Sequence, residues 1–189
     1  MVRLDRIYTK TGDGGRTRLA TGEEAPKFAL RVAAYGSVDE TNAAIGIARL
    51  HADPAMDVVL AAIQNDLFDL GADLATPQRE APLPFEALRV LDSQVERLEA
   101  EIDRINADLA PLASFVLPAG TALACHLHLA RTICRRAERE IAALAASPGE
   151  AVSAASLRYI NRLSDLLFVA ARAANVAVGD VLWVPGQQR

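Results

Sequence analysis

Three segments far apart in the chain carry polar residues that folding alone does not require. The first, Thr9-Lys10-Thr11-Gly12-Asp13-Gly14-Gly15-Arg16-Thr17, sets glycines among hydroxyls and cations. Glycine permits positive φ, so backbone N–H groups there can converge on an anion. Thr9, Thr11 and Thr17 add hydroxyl donors, and Lys10, Arg16, Arg18 and Lys27 add positive charge. No Gly-Lys-Ser/Thr opens a helix, so this is not a P-loop. The second segment, Arg131 to Arg139, holds four arginines. On a helix Arg131, Arg135 and Glu138 share a face, Arg139 continues the stripe and Arg136 lies to one side. Guanidinium groups suit bidentate contact with phosphate. In the third, Tyr159 to Asp165, the residues Arg158, Asn161 and Asp165 share a helical face. Asn161 is mildly unfavourable inside a helix, which points to a ligand or a cross-helix hydrogen bond. Together the segments suggest a polyanion held between a glycine loop and helix-borne arginines. Each also has a plainer reading: a mobile terminus, a solvated face with internal Glu–Arg pairs, and an interhelical bond without ligand. Asp39, in Tyr35-Gly36-Ser37-Val38-Asp39-Glu40, is either an exposed helical acid or a partner for one of the arginines, in this chain or a neighbour.

The elements that must position these groups are helical. Residues 1–27 carry no helical period and are expected to form a long loop, with a short extended piece at Arg6-Ile7-Tyr8-Thr9. Helices are expected over 30–50, 55–75 (Pro54 in its first turn), 85–109, 121–146 and 151–175. The third rests on a 3-4 spacing of Leu88, Leu91, Val95, Leu98, Ile102, Ile105 and Leu109. The fourth carries the seam Leu123, Leu127, Ala130, Cys134, Ala137, Ile141 and Leu144. The fifth carries Leu157, Ile160, Ser164, Leu167, Ala171 and Ala174. Pro77, Pro82, Pro84, Pro111, Pro118 and Pro148-Gly149 mark the connections, and Val181 to Pro185 is a short extended tail. Short connections imply one all-α, five-helix bundle over 28–175 in a single domain spanning 1–189, with residues 176–189 as its tail.

Composition bounds the rest. The chain has 189 residues, enough for one well-buried domain. It is 51% hydrophobic but only 5% aromatic, which favours close-packed helices rich in alanine and leucine. A net charge of −4 gives no nucleic-acid footprint, so any anion must meet a local basic cluster. Cys125 and Cys134 would lie roughly 13 Å apart along a helix, too far for a mutual disulfide, and are expected as small core residues. His126 and His128 would point to different sides of a helix, and no His or Cys spacing suggests zinc. No run resembles a secretory signal or a membrane span, so a cytoplasmic protein without membrane or nucleic-acid partners is expected.

Thr-Lys-Thr-Gly-Asp-x-Gly at 9–15, Pro26-Lys27, Tyr35-Gly36-x-Val38-Asp39-Glu40, Phe115-Val116-Leu117-Pro118, Arg135-Arg136-Ala137-Glu138-Arg139 and Asn161-Arg162-Leu163-Ser164-Asp165 follow one another in this order. In this the chain resembles the PduO-type ATP:cob(I)alamin adenosyltransferases over nearly its whole length. The resemblance implies a ferritin-like five-helix bundle, a homotrimer with ATP at subunit interfaces, and a long N-terminal nucleotide-binding loop. Thr9, Lys10, Thr11, Gly12, Thr17, Arg18 and Lys27 would wrap the triphosphate and nucleoside. Arg135, Arg136, Ala137, Glu138, Arg139 and Asn161 would complete the site, with Mg²⁺ on the phosphates and Glu138 as its protein contact. Asp39 and Arg131 look like the family's intersubunit ion pair, and Phe115 like the residue that packs under the corrin ring. Ala119-Gly120 stands where the family often has two glycines. The implied reaction takes ATP and reduced cobalamin to adenosylcobalamin and triphosphate. It leaves room for a flavoprotein reductase and an adenosylcobalamin-dependent enzyme as partners. Two other classes stay open on the residues alone: a non-catalytic nucleotide-binding bundle, which would not need Phe115, and a purely structural bundle with a disordered loop.

Overall fold

The computed structural model describes residues 8–79 and 82–189. Five helices form a bundle: α1 (Leu30–Arg49), α2 (Pro54–Ala75), α3 (Asp92–Asn106), α4 (Ala122–Ala145) and α5 (Ala154–Ala174). Helix α4 packs between α1 and α5, α2 packs on α1, and α3 packs on α5. The expected seams form the core. Leu127, Ala130, Cys134, Ala137, Ile141 and Leu144 of α4 are buried against Ile160, Leu167 and Ala171 of α5 and Ala34, Val38, Ile45 and Ala48 of α1. Side chains fix where helices begin. The Asp53 carboxylate accepts from the Met56 N–H at 2.9 Å, Thr121 Oγ1 from Ala124 N at 3.2 Å, and Ser153 Oγ from Ser156 N at 3.0 Å. Each satisfies a donor that the helix start leaves open.

The sequence pattern misplaces one helix start. Apolar spacing carries the third helix back to Phe85, but α3 begins at Asp92, and Leu88 and Leu91 are exposed. The cause is Asp73, a buried carboxylate near the end of α2. It accepts from Arg89 Nη1 at 2.6 Å, from the Val90 backbone N–H at 3.1 Å and from Ser156 Oγ at 2.8 Å. A backbone N–H committed to Asp73 keeps Val90 out of the helix, and Leu91 after it is extended at φ −104 and ψ 154. The Gln94 side chain then accepts from the Leu91 N–H at 2.9 Å and starts the helix there. Farther along, Asp66 of α2 accepts from Gln94, Arg97 and Tyr159, tying α2, α3 and α5 together.

Residues 1–27 are likewise not all loop. Arg16–Arg18 (β1) and Glu24–Pro26 (β2) pair antiparallel, with Arg16 opposite Pro26 and Arg18 opposite Glu24. The turn between them uses Gly22 at φ 88 and closes with Gly22 N–H on Leu19 O. The proposed extended piece begins at Arg6 and Ile7, outside the described residues; Tyr8 and Thr9 join no strand. The hairpin docks through buried Leu19 and through the Ala20 N–H on Ala75 O at 2.9 Å. The C-terminal tail forms an antiparallel bridge from Leu182 to Val116.

Two ties close the ends of the bundle. At the hairpin end, buried Arg31 donates to Leu74 O at 2.5 Å and to Glu150 at 2.6 Å. Burial pulls the Glu150 carboxyl up, but hydrogen bonds and charge from Arg31 and Arg79 outweigh it and hold it below its ordinary value. At the other end, wholly buried Asn175 accepts from the Thr121 N–H and donates to Ala119 O, both at 2.9 Å. Gly120 between them sits at φ +108, and a Cβ there would collide with the Asn175 amide. Gly120→Ala is therefore expected to destabilise the fold by about 2–3 kcal/mol; an unchanged urea midpoint would show that the clamp is dispensable. A group whose folded pKa is depressed stabilises above its unfolded value and loses that contribution as pH falls through the folded one. Stability should thus drop below about pH 4.5, and Glu150→Gln should flatten that part of the acid profile in pH-resolved melts.

Candidate functional site

The hairpin and the residues before it build a cleft of about 500 Å³. Thr9, Thr11, Gly12 and Thr17 line it with Arg16, Arg18, Glu24 and Lys27. Gly12 is small for a reason: a Cβ there would stand 3.1 Å from Lys27 Nζ, so glycine admits the ammonium group. Thr9 and Thr11 join hydroxyls at 2.9 Å, and the Lys27 N–H donates to Gly15 O at 2.8 Å. Lys10 takes a left-handed backbone at φ 61, uncommon for a residue with a Cβ, and its side chain does not line the cleft. A concave surface with hydroxyls and three cations against one carboxylate suits a polyphosphate.

The α4–α5 segments form a second polar surface. Glu138 Oε1 accepts from Asn161 Nδ2 at 2.7 Å, and Asn161 Oδ1 accepts from Arg162 Nη1 at 3.0 Å. Arg162 in turn donates to Glu99 of α3 at 2.8 Å. Asn161 thus makes the cross-helix bond its position suggested, and it engages one of the two Glu138 carboxylate oxygens. Asp165 keeps over half its side chain open, yet desolvation by its helical surroundings, helped by Glu138, raises its carboxyl above the ordinary value against Arg162 and Arg135. Arg135 and Arg139 are exposed and have no carboxylate within salt-bridge distance among the described residues. Arg136 differs: it pairs with Glu40 of α1. Ala137 is wholly buried in the core, so its methyl faces the bundle and not a solvent-borne ligand.

These two surfaces are carried by different parts of the chain. The cleft is lined wholly by residues 9–27, and the hairpin docks at the end of α2, whereas Arg135 and Asn161 lie within the lengths of α4 and α5. Asp39 and Arg131 are also apart. Asp39 is exposed beside Tyr35 and Phe68 in a shallow cleft of about 330 Å³. Arg131 is half-buried, its guanidinium 5.9 Å over the Phe168 ring and its Nε without a partner. Burial, then Arg135, lowers its pKa. Leaving a half-buried cation without a carboxylate is costly.

Phe115 sits at the far end of the molecule. The residue is 76% exposed although its backbone is clamped. The Trp183 N–H donates to Phe115 O at 2.8 Å, the Leu117 N–H to Val181 O at 2.8 Å, and Ser114 Oγ to Trp183 O at 2.6 Å. The rings of Phe115 and Trp183 lie 5.9 Å apart at 55°. With partly exposed Leu117, Val181 and Leu182 they make an apolar platform. Sequence reasoning left Trp183, Phe168 and Glu24 out of the site. No local pattern signalled the last of these, because strands of three residues are too short for alternation to register.

Among the described residues no group of three His, Cys, Asp or Glu is placed to hold a metal ion. His126 stacks on His51 and His128 is buried, with burial and then Arg131 lowering its pKa. Burial raises the Cys134 thiol, and both cysteines are free. No helix is long and apolar enough to cross a membrane among the described residues.

Known proteins share this fold and much of this sequence. The chain is 50% identical to the corrinoid adenosyltransferase of Mycobacterium tuberculosis over 190 residues, covering 100% of this chain and 97% of that one. It is 43% identical to the corrinoid adenosyltransferase of Bacillus subtilis, with 93% and 91% covered. Among solved structures, a variant PduO-type ATP:corrinoid adenosyltransferase from Lactobacillus reuteri, complexed with cobalamin and ATP, superposes with a TM-score of 0.83 at 40% identity, covering 94% of this chain and 99% of that chain. A second variant of that protein, complexed with ATP, gives 0.81 at 41% identity, covering 94% and 100%. The cobalamin adenosyltransferase family model matches residues 7–174, and the chain belongs to that family.

Proposed function

We infer that this protein transfers the 5′-deoxyadenosyl group of ATP to Co(I) of reduced cobalamin, giving adenosylcobalamin and triphosphate. The observation that carries this reading is the likeness, over nearly the whole chain, to a structure complexed with both cobalamin and ATP. The site chemistry agrees with it. Co(I) as the nucleophile attacks C5′; a Co–C bond forms, and the C5′–O bond breaks with its electron pair leaving on triphosphate. No side-chain nucleophile or general base is required. The chain must bind and orient the leaving group and offset its growing charge. Arg16, Arg18 and Lys27 in the cleft and Arg135 and Arg139 on α4 are cations available for that work.

Mg²⁺ fits as an ion held mainly by phosphate oxygens. The α4–α5 surface offers it one carboxylate, Glu138, with one oxygen taken by Asn161, and Mg²⁺ bound with phosphates usually takes one or two. Such an ion would neutralise charge on the leaving triphosphate. The complete site is proposed to form between copies of the chain. A hairpin cleft on one copy facing the α4–α5 surface of the next is a head-to-tail contact, and such contacts close into rings when the rotation allows. A homotrimer with ATP at its interfaces satisfies this, and it lets Asp39 of one copy meet the half-buried Arg131 of another. Cytoplasmic location, a flavoprotein reductase supplying Co(I) and an adenosylcobalamin-dependent enzyme receiving the product complete the proposal.

Phe115 is proposed to act on the corrin. A bulky apolar ring pressed against the lower face displaces the axial ligand and excludes water, which makes Co(II) easier to reduce. The test is an anaerobic assay with chemically reduced cobalamin and MgATP, following Co(I) absorbance decay and product appearance. Phe115→Ala is expected to keep MgATP affinity and lose most turnover when the assay instead starts from Co(II) with an added one-electron reductant; near-normal turnover would reject the role. Trp183 is the chain's single tryptophan, so quenching of its emission by added cobalamin reports binding at the platform. Arg135→Ala is expected to cost about 10²-fold in turnover; unchanged binding and turnover would make the α4 stripe an ordinary solvated face.

A further inference from the structure

The cleft contains a group of the wrong sign for a polyphosphate site. Strand pairing sets Glu24 directly opposite Arg18, and Arg16 lies two residues along on the same face. One carboxylate therefore stands between two guanidinium groups. Glu24 Oε2 accepts from Arg16 Nε at 3.3 Å, Oε1 lies 3.5 Å from Arg18 Nη2, and Arg16 Nη2 reaches the Glu24 carbonyl at 3.3 Å. All three side chains line the cleft. The three are 51–76% exposed, so these pairs are weak and exchangeable. A ligand with several negative charges can displace the carboxylate, and the carboxylate can return.

We propose that Glu24 is a positioning residue that sets how tightly the cleft holds triphosphate, and so how fast that product leaves. This rests on reading the cleft as the triphosphate cradle. When the C5′–O bond breaks, the leaving oxygen takes the electron pair, so the free product carries more negative charge than the same phosphates in ATP. A cradle of bare cations would hold product more tightly than substrate, and release would limit turnover. Glu24 opposes this by competition. After the reaction it competes for the same guanidinium groups and favours departure of the more highly charged species.

The test measures inorganic tripolyphosphate binding by titration calorimetry with Mg²⁺, on the full-length protein and on Glu24→Gln and Glu24→Ala, with thermal melts to establish folding. Both variants are expected to bind tripolyphosphate about three- to tenfold more tightly than the unaltered protein at low salt. The gain should shrink at about 0.5 M salt, as screening removes surface charge effects. In steady-state assays the variants should show a lower KM for MgATP, a lower kcat, and stronger inhibition by added tripolyphosphate. A merely structural role would weaken binding instead. Equal or weaker tripolyphosphate binding by folded variants, with the unaltered protein binding normally, overturns the role of Glu24 and leaves the cradle intact. An unaltered protein that binds neither MgATP nor tripolyphosphate overturns the cradle reading and this inference with it.

Discussion

The C-terminal carbonyls of α2 organise the end of the molecule that carries the cleft. A helix leaves its last carbonyls without intrahelical donors, and burying them unpaired is expensive. Here several parts of the chain meet them. Asp73 O and Thr76 O accept from Arg89, Leu74 O from buried Arg31 of α1, Ala75 O from the hairpin's Ala20 N–H, and Ala72 O from Thr76 Oγ1. The orphan acceptors of one helix thus fix the start of α1, the approach to α3 and the docking of the hairpin. Arg31 and Arg79 extend the tie through Glu150 to the α4–α5 connection. Positive side chains at this end also suit the negative pole of the α2 dipole.

A different demand shapes α4. One face must be apolar enough to lie between α1 and α5, while the adjacent stripe carries four arginines. The helix meets both because the core face uses small residues, Ala130, Cys134 and Ala137, that admit close packing without reaching the stripe. Repulsion among the arginines is relieved unevenly. Arg136 has Glu40 of α1, and Arg131 lies against the Phe168 ring. Arg135 and Arg139 are left to solvent. The uneven relief matters, because a cation already matched inside the fold has less to offer a ligand. Arg135 and Arg139 are the pair on this helix whose charge is not already committed.

Periodicity made four of the five helices legible, because α1, α2, α4 and α5 are amphipathic along their whole lengths and their starts and stops coincide with Asp53, Thr121, Ser153 and Pro148-Gly149. It failed at 85–91 because helical spacing continues there while the backbone N–H of Val90 is taken by a carboxylate seventeen residues away. No local pattern encodes that contact. The hairpin escaped notice because its strands are three residues each, too short for alternation to register. At the site, the motif residues were legible, but which of them meet was not. Sequence order does not show that the cleft closes on itself without α4, nor that Trp183 crosses the chain to stand beside Phe115.

The two halves of the proposed site also differ in rigidity, and this has mechanistic weight. Arg135, Glu138 and Asn161 project from helices buried along their opposite faces, so their backbone positions are held by the core. The cleft stands on a two-stranded hairpin whose anchors among the described residues include Leu19, Ala20 and the Glu23–Arg79 pair, and an isolated hairpin is only marginally stable. A transferase that must admit a large nucleotide and expel a triphosphate gains from that asymmetry. In the proposed site α4 would set where the leaving group lies relative to the corrin, and the hairpin would order around it. Ordering that hairpin costs conformational entropy, which the polyphosphate contacts must exceed before the site is complete. Binding energy from phosphates remote from C5′ is thereby used to assemble the geometry in which C5′ is attacked, while bonds to the phosphates themselves, other than the one to C5′, never break.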